Sequence, residues 1–100
     1  MLEEFLIRKR RYSAFFGTEL EIVLKAYKAE TLLLIGGLTD VCVHYTAVDA
    51  HQHDYRFRVV VDCVGGSSQK AHDAALETMR YLQRDALVAS GAAQEWLADL

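Results

Sequence analysis

Thr31-Leu32-Leu33-Leu34-Ile35 is an unbroken apolar run that ends at Gly36-Gly37, and it restricts the folds open to this chain more than any other stretch. A strand wetted on one face alternates apolar and polar residues. A run without alternation suits a strand covered on both faces, as in a parallel sheet packed between helices. Phe57 to Val61 is strongly β-branched, with three consecutive valines, and predicts the next strand.

The segments around these runs read as helices and short strands. Phe5-Leu6-Ile7 predicts a short first strand, followed by a polar loop from Lys9 to Gly17. Thr18-x-x-Glu21 has the form of a capping box, with Leu20, Val23, Leu24 and Tyr27 at helical spacing behind it. A further helix is expected from Thr39 or Asp40 to about His53-Asp54, its small residues Cys42, Thr46, Ala47 and Ala50 allowing close approach to a sheet. Gly65-Gly66-Ser67-Ser68 predicts a turn and cap before a helix with Ala71, Ala74, Ala75, Thr78, Met79 and Leu82 on one face. Ala86 to Ala89 would be a last strand, and Ser90 would cap a closing helix with Ala93, Trp96, Leu97 and Leu100 inward. The order βαβαβαβα predicts an α/β domain: a three-layer αβα arrangement around a parallel sheet of about four strands, one unit over residues 1–100.

Charge and composition narrow the function classes. A formal net charge of −3 argues against nucleic acid as partner, because binding phosphates needs a basic face and Arg8-Lys9-Arg10-Arg11 is the one basic cluster. No apolar run approaches the roughly 18 residues of a membrane span, and Met1-Leu2-Glu3-Glu4 lacks the form of a signal peptide, so a cytoplasmic protein without membrane contact is expected. Cys42 and Cys63 match no zinc spacing, and a disulfide between them is not expected in a reducing compartment.

Cys42 falls where a strand, a glycine bend and a helix start meet. Free amides at a helix start, together with the helix dipole, favour negative charge there, which makes Cys42 a candidate nucleophile. The same cysteine equally suits an apolar filler between helix and sheet, and local features do not separate the two.

Lys9-Arg10-Arg11-Tyr12-Ser13-Ala14-Phe15, Gly17-Thr18, Leu20, Gly37, Thr39, Cys42-Val43, Thr46-Ala47, Asp49-Ala50 and Asp62 together resemble the isochorismatase-like cysteine hydrolases, a group that includes isochorismatases, nicotinamidases and N-carbamoyl or ureido amidohydrolases. The resemblance implies the Rossmann-like hydrolase fold and hydrolysis of amide, ureido or related C–N bonds in small molecules. It implies that Cys42 is the nucleophile, that Lys9 stands beside the thiolate, and that Gly37–Leu38 is a cis peptide. It further implies an oxyanion hole made of the Leu38 and Cys42 backbone amides.

The match covers only the carboxyl-terminal half of the family domain. The family's third catalytic residue is an aspartate at the end of its first strand, and here no aspartate precedes Asp40. The metal ligands of nicotinamidases lie in the same missing half, so the residues present call for no metal and no cofactor. In the family sheet the aspartate strand lies between the lysine and cysteine strands. Its absence predicts exposed strand edges and association, either as a homo-oligomer or with a complementary amino-terminal half. The alternative to an incomplete enzyme is a non-catalytic half-domain or interaction subunit that oligomerises; a flavodoxin-like binding domain has no phosphate loop to support it.

The other candidates carry plainer readings beside the functional ones. His44 and Tyr45 are candidate pocket residues by their adjacency to Cys42, as are Tyr12 and Phe15, whose default is packing of the Lys9 loop. His51 and His53 point about 200° apart on a helix and do not suit a metal pair. Asp40 reads as a capping residue in preference to a replacement base, Cys63 as buried and inert, and Arg8, Arg10 and Arg11 as a solvated basic turn.

Overall fold

The structure is a computed structural model that describes residues 4–99. Three parallel strands form one sheet in the order β1-β2-β3: β1 is Thr31–Gly37, β2 is Arg56–Gly65 and β3 is Leu87–Val88. The helices are α1 (Leu20–Ala26), α2 (His44–Gln52), α3 (Gln69–Leu82) and α4 (Ser90–Ala98), with a π-helical turn over Thr39–Val43 leading into α2. None of them is long and apolar enough to cross a membrane.

The two long strand runs of the sequence are the neighbouring strands β1 and β2, in register from Thr31↔Arg56 to Leu34↔Val59, with β2 in the centre of the sheet. Alternate residues then divide the sheet into two faces. Leu32, Leu34, Phe57, Val59 and Leu87 meet Val43 of the π turn, Ala47 and Ala50 of α2, and Ala75 and Met79 of α3 in the main core. On the other face, Thr31, Leu33, Arg56, Arg58 and Val88 border a cavity of about 230 Å³ closed by Ala92, Ala93 and Trp96 of α4. Helices on both faces give the three layers. The small residues Ala47, Ala50 and Ala75 are what let α2 and α3 lie close to the sheet, and Phe57 and Met79 fill the space between.

Several expectations are corrected. Phe5-Leu6-Ile7 is not a strand, so the described sheet has three strands instead of four. A strand needs a ladder partner; Leu6 is 95% exposed, and Phe5 instead packs edge-on against Tyr27. The Thr18-x-x-Glu21 box does not form: α1 starts at Leu20, whose amide is bonded by Thr18 Oγ1, while Glu21 turns toward Lys25 and His53. Leu20 and Leu24 reach the core but no residue of α1 is fully buried. Ser68 caps α3 by accepting from Ala71 N, as the turn pattern predicts. Ser90 makes no such cap, because its amide and hydroxyl both donate to Asp62. Of the residues assigned inward on α4, Ala93 is buried, Trp96 and Leu97 are largely exposed, and Leu100 lies outside the described residues.

Candidate active site

The carboxyl end of β1 delivers the chain to Cys42. Gly36 adopts φ +106°, a conformation that a side chain disfavours, and the following Gly37–Leu38 peptide is cis. The chain then enters a π-helical turn. In an α-helix the Leu38 carbonyl would take the Cys42 amide; here it accepts from Val41 N and Val43 N, both at 3.1 Å, and the Cys42 amide is passed over.

Two polar contacts fasten this turn to the start of α3. Thr39 is fully buried and its Oγ1 lies 2.9 Å from His72 Nδ1. Asp40 accepts from Ser67 N at 2.9 Å and from Ser67 Oγ at 2.6 Å. Those bonds, the hydroxyl's first, hold the Asp40 carboxyl below the usual carboxylate range. The expected capping role is therefore replaced by a clasp between turns, and no side-chain cap opens the π turn. Both oxygens of Asp40 are drawn toward Ser67, which makes it a poor proton acceptor for the thiol. Asp62, one of the residues that carry the family resemblance, is similarly committed to Ser90 and likewise held low.

Lys9 reaches the thiol from a different part of the chain. Its Nζ lies 3.4 Å from Cys42 Sγ and donates to Arg11 O at 2.9 Å. Cys42 is half-buried, whereas Cys63 is exposed, against the expectation that it is buried, because β2 extends beyond its covered stretch to Gly65.

The loop behind Lys9 is tied to α2. Ala14 N donates to Thr46 Oγ1 at 2.9 Å, and Tyr12 stacks on Tyr45 with ring centroids 5.6 Å apart. Tyr12, Phe16, Tyr45 and Val48, with Arg11 and Asp49, line an open groove of about 290 Å³. His44 stacks on the Tyr45 ring. Phe15 faces the core, buried against His53 and Tyr55, which is its packing role and not that of a pocket wall.

His51 and His53 do not act together. His51 Nδ1 lies 2.9 Å from Gln83 Nε2, while His53 stacks on Phe15. Among the described residues no three His, Cys, Asp or Glu side chains gather where they could hold a metal ion. Sequence reading did not single out His72, because only the packing of α3 beside the π turn brings it to Thr39; the clasp of Asp40 on Ser67 was hidden for the same reason.

The profile of the isochorismatase domain matches residues 2–93. The chain is 41% identical over 73 residues to the maleamate amidohydrolase of Pseudomonas putida, covering 73% of this chain and 34% of that protein. The crystal structure of a pyrazinamidase/nicotinamidase from Streptococcus mutans superposes with TM-score 0.77 at 40% identity, covering 80% of this chain and 44% of that one. An isochorismatase-like hydrolase from Alkaliphilus metalliredigens gives TM-score 0.86 at 28% identity, covering 96% and 52%. The chain thus spans well under two thirds of the length of the relatives it matches, 39% and 34% for two curated ones.

Proposed function

The chain belongs to the isochorismatase family, and from that premise we propose that it is the nucleophile-bearing part of a cysteine hydrolase acting on amide, ureido or related C–N bonds of small molecules. The observation that carries the reading is the contact of Lys9 Nζ with Cys42 Sγ at 3.4 Å, at a helix start on the carboxyl edge of the sheet. The contact sets a positive charge against the sulfur that would attack.

In the proposed reaction the Cys42 thiolate adds to the substrate carbonyl carbon, and the carbonyl electron pair moves onto oxygen. The backbone amides of Leu38 and Cys42 stabilise that oxyanion. Its collapse breaks the C–N bond, the nitrogen leaves with a proton, and the acyl group remains on sulfur as a thioester. Water then hydrolyses the thioester, returning the thiol and releasing the acid. Tyr12, Tyr45 and His44 would form part of the substrate wall.

The proton passed to the leaving nitrogen needs a general acid, a role that the family resemblance gives to an aspartate. Residues 1–39 contain no aspartate and Asp40 is held by Ser67, so we assign this group to a part of the enzyme outside these residues. A complementary amino-terminal half or a neighbouring copy would supply it. The outer edge of β1, which has no ladder partner among the described residues, is where such a partner would add. Ammonia release from nicotinamide and from maleamate, measured after adding the aspartate-bearing amino-terminal half of a relative, tests the proposal. Turnover that disappears in Cys42→Ala supports it; turnover that survives Cys42→Ala overturns it.

A further inference from the structure

Lys9 lies on an irregular, exposed segment, yet its ammonium is held against one sulfur atom. Something must fix it, because a lysine side chain has four rotatable bonds and loses considerable rotamer freedom when it is held in one place. The contacts form a closed path. Lys9 Nζ touches Cys42 Sγ and donates to Arg11 O. Two residues beyond Tyr12, Ala14 N donates to Thr46 Oγ1 at 2.9 Å. Thr46 stands four residues after Cys42, one turn along the continuous π-to-α helix that carries the thiol. Both ends of the Lys9 loop therefore rest on one rigid element.

We propose that Thr46 is a positioning residue for Lys9: its buried hydroxyl anchors the loop at Ala14, and so sets the distance from the ammonium to the Cys42 sulfur. This rests on the reading of Lys9 and Cys42 as a functional pair. Thr46 is 9% exposed, so water cannot readily take the place of the lost acceptor if the hydroxyl is removed. The Tyr12–Tyr45 stack lies on the exposed side of the same loop and gives a second, weaker tie. Phe15 holds the far end of the loop in the core, so the fold of the loop survives loss of the Thr46 bond while the register of Lys9 does not.

The test compares alkylation of Cys42 by an anionic and a neutral reagent, iodoacetate and iodoacetamide, with peptide-resolved mass spectrometry on the whole folded chain. An ammonium beside the sulfur attracts the anionic reagent, so the ratio of the two rates reports Lys9 proximity. Altered exposure of the thiol would move both rates together. Arg8, Arg10 and Arg11 remain in every variant, so the change in the ratio is what is read. Lys9→Met is expected to lower the iodoacetate-to-iodoacetamide ratio about five-fold, the equivalent of about 1 kcal/mol for one charge pair near water. Thr46→Val should lower it at least two-fold, Thr46→Ser should keep it, and Thr46→Val should add nothing in the Lys9→Met background. If Lys9→Met lowers the ratio but Thr46→Val does not, the positioning role is overturned while the Lys9–Cys42 pair stands. An equal effect of Thr46→Val with and without Lys9 overturns it as well, since Thr46 would then act through packing. If Lys9→Met itself leaves the ratio unchanged, the pair reading fails, and the role of Thr46 fails with it.

Discussion

Gly66 brings the β2–α3 turn close to the π turn at Asp40, and alanine there probes the clasp between them. A Cβ at this position would lie 2.7 Å from His72 Cβ, 3.1 Å from His72 Cα and 3.0 Å from Asp40 Oδ1. The two His72 atoms belong to the first turn of α3 and not to the end of a flexible side chain. Relief therefore requires the turn or the helix to move, which pulls Ser67 from Asp40 and His72 from Thr39. Overpacking of this kind costs about 1–3 kcal/mol. The alanine also stiffens the unfolded chain and offsets about 0.4–1 kcal/mol of that. The net loss of about 1–2 kcal/mol changes the folding equilibrium about 5- to 30-fold. Urea unfolding followed by circular dichroism should show the midpoint of Gly66→Ala falling by about 1 M, taking a slope of about 1–1.5 kcal/mol per M for a chain of this size. Gly65→Ala is the control, since nothing lies within 4 Å of a Cβ built there. A Gly66→Ala midpoint equal to that of Gly65→Ala would refute the close approach and the clasp that depends on it.

Gly91 is in the first turn of α4 with open space around its missing Cβ, so Gly91→Ala should raise stability by about 0.5 kcal/mol, read as a higher urea midpoint. Acidification should weaken the fold through Asp40 and Asp62. Both carboxyls are held below their ordinary value of 3.8 by serine hydrogen bonds, so the unfolded chain takes up their protons first. That stabilisation is complete above the unfolded value and is lost as pH falls through the lower native values. Ser67→Ala and Ser90→Ala should therefore melt below the parent at pH 7, and the gap should narrow toward pH 3 in thermal scans.

The parallel sheet was legible because burial on both faces leaves a direct mark: Leu32 to Leu34 and Val59 to Val61 are apolar runs without polar alternation. The small residues of α2 were legible for a similar reason, since Ala47 and Ala50 must touch the sheet. Phe5-Leu6-Ile7 misled because an apolar triplet specifies a strand only when another strand lies beside it, and among the described residues none does. Trp96 and Leu97 misled because helical spacing marks an apolar face without saying that the chain provides a surface to cover it. At the site, Cys42 and Lys9 could be matched to a family pattern, but the contacts that hold them could not be read. Thr39 with His72, Asp40 with Ser67, and Thr46 with Ala14 are each pairs separated by 27 to 33 residues, and only packing brings them together.

A nucleophilic Cys42 must be chemically distinct from an ordinary thiol, and the two cysteines of the chain allow an internal comparison. Cys63 is exposed and Cys42 half-buried, so accessibility alone makes Cys63 the faster to alkylate. With Lys9 beside it, Cys42 should react faster with iodoacetamide in the folded protein near neutral pH. The difference should vanish in urea, where neither thiol keeps its surroundings. Cys63 reacting faster than Cys42 in the folded chain would contradict the assignment of Cys42 as the nucleophile.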